Sequence, residues 1–104
     1  MTKEEALELI ERIPYVTAFS APSGKARIDL YKKAVGRKEP LQWLKVVKSC
    51  WLRREERSGG VEGTLEGEYG NRAKRLLHAE LAAALGIGEE EVEPFIERYL
   101  KENI

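Results

Sequence analysis

A chain of 104 residues, 42% hydrophobic and 35% charged, is long enough for one modest core and too short for two, so residues 1–104 are expected to form a single domain. Lys plus Arg and Asp plus Glu balance at 18 each, which argues against nonspecific binding of polyanions by the whole surface. The single cysteine, Cys50, excludes an internal disulfide, and no apolar run approaches membrane-spanning length.

Helix formers dominate, and no segment alternates apolar and polar residues as a strand would. The expected fold class is all-α: a compact bundle of about five helices, with a Gly-rich loop between the third and fourth. The first helix is short. Thr2 can cap it, Glu5 completes a capping box, and Ala6, Leu7, Leu9 and Ile10 give it an apolar side before Ile13-Pro14 ends it. This N-terminus, MTKEEALELIERI, is too acidic for a signal peptide. The segment YVTAFSAPSG is β-branched, aromatic and broken by Pro22 and Gly24, and it is expected as an extended connector pinned by Tyr15, Val16 and Phe19.

The second helix is expected from Ser23 or Gly24 to Val35, with Gly36 as its stop. Arg37-Lys38-Glu39 is then a tight turn, making helices two and three an αα-hairpin. The third helix, PLQWLKVVKSCWLRREER, runs from Pro40 to Arg57 and is the element around which the core should assemble. Proline suits the first helical position, where its missing N–H goes unused. Trp43, Leu44, Val47, Cys50 and Trp51 recur at helical spacing and form one wide apolar face, which suits burial of both indoles. Lys45, Lys48 and Ser49 fall on the other side. A cysteine on the apolar face suits a buried thiol in a reducing compartment, and cytoplasmic localisation is expected.

The stretch SGGVEGTLEGEYG holds five glycines among thirteen residues and is expected as a loop, since glycine at this density disfavours helix. It lacks the GxxxxGK[ST] pattern and the preceding strand of a phosphate-binding loop. The fourth helix can be capped by Thr64 and is established by Asn71, with Leu65, Tyr69, Ala73, Leu76, Leu77, Leu81, Ala84 and Leu85 in its stripe and Gly86 closing it. In the fifth, Glu89, Glu90 and Glu91 suit the positive end of a helix dipole, and Val92, Phe95, Ile96, Tyr99 and Leu100 are apolar. Pro94 either kinks this helix or resets its start.

Catalysis needs converging titratable groups, and none is apparent. His78, the lone histidine, falls on the polar side of helix four and is expected to be solvated or capping. One Cys and one His cannot supply a usual zinc ligand set, and GEEEVE lacks the ligand spacing of a calcium loop. No catalytic residue, metal, cofactor or small-molecule substrate is expected.

Charge is more informative. Residues 1–22 carry a balance of −2, residues 23–57 of +7 and residues 58–104 of −5. The basic middle third is either a solvated surface laced with salt-bridged acids or a local phosphate-facing patch. An exposed indole flanked by Lys and Arg would favour the second, because aromatics can wedge against base steps.

The segment PLQWLKVVKSCWLRREE, a glycine-bearing loop, and then NRAKRLLHAELAAALGIGEEEVEPFI resemble the C-terminal helical domain of the CarD/CdnL family of bacterial transcription regulators. The matching features are Val46-Val47-Lys48, Trp51-Leu52-Arg53-Arg54-Glu55, and Ala73, Leu77 and Glu80-Leu81-Ala82, with a preceding helix carrying Tyr31-Lys32. The likeness covers roughly residues 25–100. It implies a domain that touches promoter DNA at the upstream edge of the transcription bubble, in a protein that binds bacterial RNA polymerase through a separate β-rich domain. That β-rich domain has no counterpart in these residues, so the resemblance implies an excised domain or a truncated relative. Where the best-known branch of the family has a DNA-wedging tryptophan, this chain has Arg27. Lys25, Arg27, Lys48, Arg53 and Arg54 are the expected phosphate contacts. The alternative is a helical protein–protein interaction module without a DNA role, marked by an exposed apolar patch outside helices four and five.

Overall fold

The computed structural model of the chain describes residues 1–56 and 64–103, with the side chains of residues 54–56 and 103 outside that description. It is all-α: α1 (Lys3–Arg12), α2 (Gly24–Gly36), α3 (Pro40–Glu56), α4 (Leu65–Leu85) and α5 (Val92–Asn103), with 3-10 turns at Ile13–Tyr15 and Glu89–Glu91. The helix ends follow local chemistry. Thr2 and Glu5 form the reciprocal capping box at α1, and Ser23 caps α2 through the Ala26 N–H. Gly86 ends α4 in the left-handed region at φ 71°, so that its N–H and that of Ile87 both reach the Ala82 carbonyl. Pro94 resets the start of α5: it lies in the first turn, where no backbone N–H is required.

α3 and α4 are the main packing partners, and α2 lies across both. Tyr31, Ile10, Leu81, Val46 and Val92 are the largest fully buried side chains, one from each helix. The turn between α2 and α3 is closed by the Trp43 indole N–H donating to the Arg37 carbonyl at 2.9 Å. The connector from 16 to 23 is held by Phe19, whose N–H donates to Ser49 Oγ at 2.8 Å and whose ring packs 6.1 Å from that of Tyr31.

Four expectations change. α4 begins at Leu65, so the second half of the glycine-rich stretch is helical; its first residues, 58–63, lie outside the described residues, as does Arg57. Trp43 is buried, but Trp51 is 54% exposed. Leu44, only about 20° around α3 from Trp51, is buried, so the exposure of Trp51 is set by where neighbouring segments cross the helix and not by the side it faces. Ser49, placed on the outer side from the pattern, is buried for the same reason. Tyr15 does not pin the connector and lies in solvent.

Candidate functional site

The first turn of α4 carries Glu66, a carboxylate with only 6% of its surface exposed. Its position suits the charge, since the N-terminal turn of a helix presents positive backbone dipoles. Three residues from two other helices converge on it. The Tyr31 hydroxyl donates to Oε2 at 2.8 Å, Arg53 Nε donates to Oε1 at 3.3 Å, and Arg27 Nε lies 3.7 Å from Oε2. Burial, and then the hydrogen bond to Glu66, push the Tyr31 hydroxyl well above the usual phenol range. Among the described residues no buried side-chain nitrogen or oxygen lacks a partner.

Two of the five expected phosphate contacts therefore meet at this carboxylate. Arg27 shares the inner face of α2 with Tyr31 and Ala34, at spacings of four and seven, and its side chain is 19% exposed. Arg53 reaches Glu66 from α3. Lys48 donates from Nζ to the Ile13 carbonyl at 2.9 Å and so staples the end of α1 to α3. Lys25 is exposed in the first turn of α2, apart from these three. Arg54 is helical, and its side chain lies outside the described residues.

The opposite side of α2 is different in kind. Lys25, Lys32 and Lys33 follow one outer stripe that is continued by Arg37 and Lys38 in the turn, and all five are exposed. None lies within ion-pair distance of a described carboxylate, and the acids along the stripe are Asp29 and, at its far end, Glu39.

A second concavity lies between α3, α4 and α5. It is a largely apolar groove of about 590 Å³ lined by Ile13, Leu44, Val47, Trp51, Leu77 and Ile96 among others, so the apolar patch falls between the helices and not outside α4 and α5. His78 lines it and is half-buried, which corrects the expectation of a solvated histidine. Burial holds the His78 imidazole below its ordinary value, and Glu93 opposes that shift. The unfolded chain then binds a proton more readily than the folded one. The contribution of His78 to stability is complete above about pH 6.5 and is lost as the pH falls from there through the lower folded value. Melting temperatures from pH 7.5 to 5 should decline more steeply for the parent than for His78→Gln; parallel curves would refute this.

Among the described residues no group of three or more His, Cys, Asp or Glu side chains is placed to hold a metal ion, and no helix is long and apolar enough to cross a membrane. Sequence reasoning missed Glu66 because it sits among glycines read as a loop. The available signal was Arg27 on the same face as Tyr31 and Ala34: an arginine turned inward requires a buried acid. No protein-family model, curated protein or solved structure matches the chain.

Proposed function

We propose that the chain is a DNA-contacting helical domain of a transcription regulator similar to the CarD/CdnL family, working beside bacterial RNA polymerase at promoter DNA. The observation that carries this reading is the outer stripe of α2: five exposed cations, Lys25, Lys32, Lys33, Arg37 and Lys38, with no described carboxylate in ion-pair range. Exposed cations with no carboxylate in range are free to replace the counterions of a nucleic acid, and their release drives binding. Of the residues expected from the sequence, Lys25 belongs to this surface. Arg27, Lys48 and Arg53 are engaged within the fold, and the stripe supplies Lys32, Lys33, Arg37 and Lys38 in their stead. The likeness of residues 25–100 to the CarD/CdnL helical domain supports the promoter and polymerase context.

The test is fluorescence anisotropy of a labelled fork-junction promoter fragment with the full chain over a range of salt concentrations. Binding should weaken steeply with salt. Lys32→Gln/Lys33→Gln should lower affinity severalfold at low salt and flatten the log–log salt dependence by roughly two, about one for each lost phosphate contact. A slope unchanged in the double variant would remove α2 from the interface. Absence of binding at low salt would favour a second reading, a protein-interaction module, which the apolar groove and exposed Trp51 support.

A further inference from the structure

The inner side of α2 borders a pocket of about 180 Å³, distinct from the outer stripe and from the apolar groove. Its walls are the connector residues Phe19 and Ser20, Leu52 from α3, and the side chains of Arg27 and Arg53. No carboxylate of the described residues lines it. The connector wall is fixed in place, because the Phe19 N–H is bonded to Ser49 Oγ, whose own hydroxyl donates to the Lys45 carbonyl at 2.6 Å.

The charge balance here is uneven. Two guanidiniums share the single carboxylate of Glu66, and among the described residues no second carboxylate lies in ion-pair range of either, which leaves one uncompensated positive charge beside the pocket. Each guanidinium carries five N–H donors, and each turns its Nε toward Glu66, leaving the terminal N–H groups for another acceptor. Paired forks of this kind match the oxygens of a tetrahedral oxyanion in geometry as well as charge. The space holds several waters' worth of volume, at about 30 Å³ each, and so admits one phosphate group.

We propose that this pocket binds a phosphate-class oxyanion, gripped by the guanidiniums of Arg27 and Arg53 while Glu66 holds both in place from behind. The site uses neither the outer stripe nor promoter DNA, so it stands or falls independently of the function proposed above.

The experiment titrates inorganic phosphate into the full chain at constant ionic strength, with chloride as the control, and follows the arginine Nε–H resonances by NMR. Saturable shifts of the Arg27 and Arg53 signals are expected, with no response to chloride. Arg27→Lys keeps a cation beside Glu66 but loses the fork, and should bind phosphate at least about fivefold more weakly. Shifts that never saturate, or equal affinity in the variant, would overturn the proposal, and the parent spectra decide it alone if the variant fails to fold. A 5′-phosphorylated dinucleotide and its 5′-hydroxyl counterpart then separate the sources. Competition by the first alone assigns the site to phosphate monoesters, and competition by neither assigns it to the free ion.

Discussion

Glu66→Ala is expected to destabilise the fold by about 3 kcal/mol, read as a lower urea midpoint at an unchanged slope near pH 7. The substitution removes one short side chain but strands three partners. The Tyr31 hydroxyl loses its acceptor in the core, and Arg27 and Arg53 are left facing each other with no anion between them. Removing one member of a buried ionic cluster costs roughly 3–5 kcal/mol because the survivors stay desolvated. The lower end applies here, since both arginines keep some contact with water. Glu66→Gln preserves the shape and can still accept from Tyr31, so its loss should be smaller, about 1–2 kcal/mol. An alanine variant within about 0.5 kcal/mol of the parent would show that the cluster contributes no net stability.

Gly70→Ala is the second large effect, and its sign runs against local propensity. Alanine in a helix interior gains roughly 1 kcal/mol over glycine. At this position, however, an added Cβ would stand 2.7 Å from Cys50 Sγ and 3.3 Å from Cys50 Cβ. Rotation of the thiol relieves only the first contact; the Cβ is fixed to the α3 backbone, so the two helices must move apart by a few tenths of an ångström. Overpacking of this kind costs about 1–3 kcal/mol, so against the propensity gain of about 1 kcal/mol a net loss of about 1 kcal/mol is expected. The diagnostic is the pair: Cys50→Ala removes the sulfur, and in that background the cost of Gly70→Ala should fall by more than half. Strictly additive losses would mean that the close approach of α3 and α4 is not what requires glycine.

Much of the fold was legible. Thr2 with Glu5, Ser23, Pro40 and Gly86 are local signals whose physics needs only a few neighbouring residues, and the helix ends lie where they point. The opening turns of α4 were only partly legible: Thr64 offered a cap and Leu65 and Tyr69 fell in the apolar stripe, while Gly67 and Gly70 argue against helix locally. The local Thr64 cap on the Gly67 N–H and the packing of Gly70 against Cys50 outweigh that cost, and the second depends on tertiary placement. Trp51 failed for a related reason. Helical periodicity locates an apolar face, but which stretch along it receives a neighbour depends on where the other helices cross. The candidate site was half legible: basic residues on α2 were identified, while their division into an outward stripe and an inward pair turned on Glu66, thirty-five residues beyond Tyr31.

The adjacent residues Lys48 and Ser49 have a mechanical consequence. One grips the chain at Ile13 and the other at Phe19, so a single turn of α3 acts as a two-jawed vice on the strap that joins the first two helices. A break in the backbone between those grips would leave both severed ends fastened to the same rod. The first helix is thus tied to the body of the protein across space as well as through its covalent tether.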